Sequence, residues 1–239
     1  MEWPDSSGGT IDFHYIFKFN DGTSKVFKIV LDERTLSFVH GADREKPEWA
    51  RLDYCRCENC PRHEKADDDY CPVALSIAGL VEDFGDLASY ENAYVLVITR
   101  ERDISKNTTV HEGLSSMMGV YMVTSGCPVM ERLKPMVRYH LPFATIKESV
   151  YRVISMYLLV QYFLKKKGEK PDWELKRLAD MYEDIRTVNA GISMRLKSAA
   201  KKDASIAAIG SLDFLASLLP LIIGDTVQDI EDSLGSLLG

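Results

Sequence analysis

Four cysteines fall within seventeen residues of this chain, Cys55, Cys57, Cys60 and Cys71, and a fifth, Cys127, lies far downstream. Thiolate sulfur is large and polarisable, so clustered cysteines suit borderline and soft metals such as zinc. Cys57-x2-Cys60 is a spacing that lets two sulfurs grip one ion through a single tight turn, and Cys71 and Cys127 complete a four-thiolate set. Three of the five precede proline, as Cys60-Pro61, Cys71-Pro72 and Cys127-Pro128. Proline suits the first turn of a helix, which would put Cys71 and Cys127 at helix starts. There unpaired N–H groups and the helix dipole favour negative charge, and the expectation is a lowered thiol pKa at both.

Zinc ranks first as the ion. An iron–sulfur cluster is the alternative, because a ligand followed by proline recurs in ferredoxin-type runs; haem is a distant third. The competing reading makes Cys71 and Cys127 small buried residues beneath helix starts. Cys55 would share a strand face with Cys57 and reads as a bystander. His63 sits in the polar run Pro61-Arg62-His63-Glu64-Lys65 and reads as solvated. A thiol-based enzyme is the weakest option, since no helix begins cleanly at Cys57-Glu58-Asn59-Cys60.

No other group names a reaction. Asp67-Asp68-Asp69 lacks the spaced ligands of a calcium loop. His111-Glu112 lies in the first turn of a helix where Glu112 has a capping role. Arg132, Lys134, Arg138, His140, Lys147 and Arg152 make a loosely basic stretch able to hold an anion, with His140 packing at a helix junction. Walker, dinucleotide and G-x-S-x-G fingerprints are missing, so the chain is not expected to be an enzyme.

These residues need elements to position them. Ile11, Phe13, Tyr15, Phe17 and Phe19 alternate with their neighbours, the period of a half-buried strand. Asn20-Asp21-Gly22 predicts a hairpin turn, and Val26–Leu31 the returning strand. Thr35–Val39 and Arg51–Cys57 read as further strands, and Ala93–Arg100 as a central one. Val73, Leu75, Ile77, Ala78 and Val81 predict a helix after Cys71-Pro72. Thr109 and Glu112 predict a capping box, as do Thr145 and Glu148. Pro135 should kink the segment opened by Pro128. A helix from Thr145 should end near Gly168, the next should open at Pro171, and a last one near Asp203.

The expected fold is α+β: an antiparallel β-rich domain over residues 1–108 carrying the cysteine cluster, then a helical domain over 109–239, joined through Cys127. The 239 residues are 46% hydrophobic and 27% charged, a globular profile, and a net charge of −7 speaks against a nucleic-acid partner. Met1-Glu2-Trp3-Pro4-Asp5 has neither a basic start nor an apolar run, which predicts no secretory signal and a cytoplasmic protein. Ala204–Ile223 nearly reaches membrane-spanning length but contains Asp213 and Pro220. Its apolar residues recur at three- and four-residue steps, so it reads as a core helix or a homodimer seam and not as a membrane span.

The segments Cys57-x2-Cys60-Pro61, Cys71-Pro72-Val73-Ala74, Thr124-Ser125-Gly126-Cys127-Pro128 and Arg138-Tyr139-His140-Leu141-Pro142-Phe143 resemble a family of uncharacterised bacterial proteins, a domain of unknown function, over most of the chain. The resemblance implies no activity. It singles out Cys57, Cys60, Cys71 and Cys127 together and leaves Cys55 peripheral.

Overall fold

The computed structural model describes residues 9–39, 45–62 and 69–238. Met1–Asp5, His63 and the pair Asp67-Asp68, all weighed above, lie outside the described residues. The chain forms an N-terminal four-stranded antiparallel sheet followed by a mostly helical region.

Strands β1 (Thr10–Phe19) and β2 (Ser24–Asp32) form the expected hairpin, with Tyr15 opposite Phe27. Gly22 turns it at φ +84°, where a side chain would be strained. Strand β3 (Asn92–Ile98) pairs with β1 and β4 (Asp103–Thr109) closes the order β2-β1-β3-β4, so β3 is central as its apolar run predicts. The period-two pattern of β1 puts Phe13, Tyr15 and Phe17 inward, all buried. Helices α1 (Pro72–Asp83) and α2 (Val110–Val123) follow β2 and β4 respectively. Close approach of α2 requires Gly113, since a Cβ there would lie 2.7 Å from the Phe17 ring and 2.9 Å from Val95. Residues Met130–Tyr139 then form a 3₁₀ helix containing Pro135. Three long helices complete the chain: α3 (Ile146–Lys166), α4 (Lys176–Ala199) and α5 (Ala204–Ser233). One cluster of buried apolar side chains runs from Phe13 to Leu219, through sheet and helices alike.

Several local expectations are corrected. Thr35–Val39 makes only an isolated bridge, Phe38 to Leu31, and Arg51–Cys57 only Arg51 to Tyr70, with turns between. Both segments alternate in residue type but have no long partner strand. Strand β4 escaped the pattern because its sequence, DISKNTT, is a solvated edge with little apolar alternation. The box at Thr109 does not form: Glu112 instead accepts from Lys106 at 3.2 Å and from the Thr108 hydroxyl. The box at Thr145 does form, with Glu148 Oε2 2.7 Å from the Thr145 amide and the Glu148 amide 3.2 Å from Thr145 Oγ1. Pro171 does not open α4, which begins after Leu175 in a left-handed conformation (φ +58°). Its predicted inner face, Leu175, Leu178, Tyr182 and Ile185, is buried.

The first half of α5 buries Ile209, Ala216 and Leu219. Beyond Pro220 the seam opens: Leu221 is 77% exposed, and Val227 and Leu234 are exposed too. By length and composition α5 is able to cross a membrane, and only 22% of its most apolar window is covered by the rest of the chain.

Candidate metal centre

The cysteines lie on three segments: the turns after Arg51, the start of α1 and the loop after α2. Cys57 and Cys60 bracket a tight turn in which the Cys60 amide donates to the Cys57 carbonyl at 3.1 Å. Asn59 within that turn reaches α4, its Nδ2 donating to the Asp184 carbonyl at 2.9 Å. Cys71 caps α1 with extended backbone, and Pro72 takes the first helical position as the sequence implied. Its amide donates to the Ala50 carbonyl at 2.8 Å. Cys127 follows α2, and a turn leads from it into the 3₁₀ helix. From that helix Arg132 reaches Asp184, Nη1 to Oδ2 at 2.6 Å. One α4 residue, Asp184, therefore ties down the Cys57–Cys60 turn through its carbonyl and the segment after Cys127 through its carboxylate.

Burial pushes the Cys57 thiol up to about 12, and the like charges of Cys71, Cys60 and Cys127 add to that rise, while Arg195 opposes it. Cys127 is also raised, first by burial and then by Cys71 and Cys60, although the Val129 and Met130 amides pull the other way. The expected lowering at Cys127 is thus overturned: the helix-start amides are present, but desolvation outweighs them. All five cysteines are free thiols. Cys55 lies on a bend rather than a strand, so the face it was expected to share with Cys57 does not exist. Among the described residues, no set of three or more His, Cys, Asp or Glu side chains stands in a geometry that could hold a metal ion.

Two residues of α4 shape this neighbourhood without appearing among the sequence candidates. Gly191 faces Cys57, and a Cβ there would come within 2.6 Å of its sulfur. Arg195 is 1% exposed. Its Nη1 donates to the carbonyls of Trp49 and Arg51, each at 2.6 Å, and Nη2 to that of Leu52 at 3.3 Å. Its Nε is buried without a hydrogen-bond partner. Among the described residues no carboxylate pairs with this cation; Asp53 feels it only at longer range. A buried guanidinium without a counter-ion is costly, and the Cys57 thiol is one of the anionisable groups it acts on. The signal was present in the sequence, for Arg195 continues the apolar phase of Leu178, Tyr182, Ile185, Val188 and Ile192.

The remaining candidates are committed locally. His111 Nδ1 sits 3.0 Å from Thr109 Oγ1 and 3.1 Å from the Ser89 carbonyl. Lys134 pairs with Glu131, Arg138 with Glu33 and Lys147 with Asp229. His140 packs edge-on against Phe13, ring centroids 5.3 Å apart, at the junction expected for it.

The fold defines an α+β protein in which a four-stranded antiparallel sheet and a helical region share a core, with Cys57 packed against α4. The chain belongs to the family described as Domain of unknown function (DUF6901), whose model matches residues 13–234. No curated protein and no solved structure matches the chain.

Proposed function

We propose that Cys57, Cys60, Cys71 and Cys127 bind one structural zinc ion, making the protein a metal-binding module without catalytic activity of its own. What supports this reading is the anchoring of the Cys57–Cys60 turn and of the segment after Cys127 on Asp184 of α4, with Gly191 making room for the Cys57 sulfur and Arg195 unpaired on the same helix. Zinc draws its ligands to about 2.3 Å and removes their protons. A bound ion would draw the four sulfurs together, and the net negative charge of a four-thiolate site would offset Arg195. The raised Cys57 and Cys127 thiols disfavour a nucleophilic role, which needs a thiolate at neutral pH. A reduced compartment such as the cytoplasm goes with free thiols.

Because the ligands come from the turn after the sheet hairpin, the start of α1 and the end of α2, the ion would clamp sheet and helices together and add its binding energy to folding. The test is elemental analysis and a visible spectrum of protein purified without air. One zinc per chain and no colour supports the proposal; a brown protein with iron and sulfide replaces zinc with a cluster; no bound metal under either condition ends it. Cys127→Ser should lower metal content and stability together, and unchanged stoichiometry would remove Cys127 from the ligand set.

A further inference from the structure

A cavity of about 710 Å³ opens between α2, the 3₁₀ helix, the start of α3 and the first half of α5, in the size range of small-molecule sites. None of the four cysteines lines it, so it stands apart from the metal proposal. Its walls are largely apolar, with Val120, Leu133 and Met136 on one side and Leu212, Leu215 and Leu219 on the other. A few polar groups converge on this surface, and their hydrogen bonding shows which have capacity left.

Tyr15 is fully buried behind the wall. Its hydroxyl lies 3.0 Å from Ser116 Oγ and 2.5 Å from His140 Nε2. Burial raises the phenol and depresses His140 to about 3, so both are neutral near pH 7. A neutral phenol must donate to one acceptor, and Nε2 is that acceptor when Ser116 donates to the phenol oxygen. In the reverse arrangement Nε2–H donates to the phenol oxygen and Tyr15 donates to Ser116. In both, His140 is a neutral ring held at the cavity wall by Tyr15.

Arg152 supplies charge. Its Nη2 donates to the carbonyls of Met136 at 3.1 Å and Tyr139 at 2.6 Å, which fixes the guanidinium plane. Its Nε and Nη1 have no protein acceptor, and no carboxylate pairs with it among the described residues. Glu148, one turn earlier, is occupied by the Thr145 cap. Arg152 is near enough to His140 for its charge to lower the imidazole. Nη2, the nitrogen common to both bidentate faces of a guanidinium, is taken by those carbonyls, so Nη1 offers a charge-assisted contact to one oxygen of a carboxylate. Glu112, at another part of the lining, disfavours an anion there and so gives the cavity a polarity. Among the described residues no second unpaired cation lines the cavity, since Lys106 pairs with Glu112, which argues for a singly charged head rather than a phosphate.

We propose that this cavity binds an amphipathic monocarboxylate, its carboxylate on Nη1 of Arg152, its apolar chain between α2 and α5. The test titrates the full-length protein with dodecanoate, dodecan-1-ol and dodecyltrimethylammonium, each below its micelle concentration, by calorimetry. Dodecanoate should bind at one site per chain, the alcohol about tenfold or more weaker and the ammonium not at all. Arg152→Gln should cost dodecanoate about tenfold and leave the alcohol unchanged. Since Arg152 also holds two carbonyls, a second variant is needed that spares them. Gly210 lines the cavity and a Cβ there meets nothing within 4 Å, so Gly210→Leu fills space without a clash. It should abolish binding of acid and alcohol alike. Equal affinity for acid and alcohol, no dodecanoate binding, or unchanged affinity in Gly210→Leu would overturn the proposal.

Discussion

Gly191 of α4 lies directly against Cys57: a Cβ at position 191 would stand 2.6 Å from the sulfur, nearer than real Cβ contacts come. A helix interior normally disfavours glycine by about 1 kcal/mol relative to alanine. Here the missing side chain is what allows the sulfur to sit against the helix. Gly191→Ala should therefore displace Cys57 and lower zinc per chain, despite the gain in helix propensity. Gly210→Ala, made where the space is open, should keep full zinc content and gain up to about 1 kcal/mol. Zinc stoichiometry and denaturant midpoints of the two variants check the pair; equal zinc content would show that Cys57 has room to move.

Arg195 holds three carbonyls of the segment leading into the cysteine turn. Arg195→Met leaves them buried and unsatisfied and should cost at least about 3 kcal/mol in urea unfolding. Arg195→Lys keeps the charge but loses the fork, so it should recover part of the metal content and little of the stability.

His140 gives the fold an acid limit. Its pKa is depressed from 6.5 to about 3 by burial, so the folded state favours the neutral ring. The associated stability is fully present above pH 6.5 and is lost as pH falls toward 3, by at most about 1.4 kcal/mol per pH unit. His140→Gln should be less stable at pH 7 but show a flatter stability profile between those limits. An identical slope in the variant would assign the acid sensitivity to other groups.

Cys57 gives the metal-free protein an alkaline limit. Its thiol rises from 9.0 to about 12 in the fold, so its contribution is complete below pH 9 and falls away as pH rises toward 12. Zinc-loaded protein, with the thiolate already formed, should lack that loss. Thermal melts of chelated and zinc-replete samples across this range make the comparison.

The second half of α5 exposes Leu221, Val227 and Leu234. A homodimer through this helix would cover them, and sedimentation of the wild type should then show a concentration-dependent dimer that Leu221→Glu converts to monomer. Monomer at all concentrations would leave the face to another partner.

Much of the fold was legible because it is local. The β1 alternation, the Gly22 turn, the Thr145 cap and the Cys71-Pro72 helix start each need only a few neighbouring residues to form. Segments that need a distant partner were misread. Arg51–Cys57 alternates like a strand but has only Tyr70 to bridge to, and polar β4 is a strand only because β3 offers it an edge.

By itself, the sequence determined that cysteines bracket a tight turn and stand at the start of α1 and beyond the end of α2, for that follows from residue type, spacing and proline. Tertiary structure alone decided what surrounds them: Asp184 holding two of their segments, Gly191 making room and Arg195 supplying an unanswered positive charge. It also set the direction of the Cys127 shift, since desolvation depends on everything packed around a thiol and helix-end amides depend only on the next few residues.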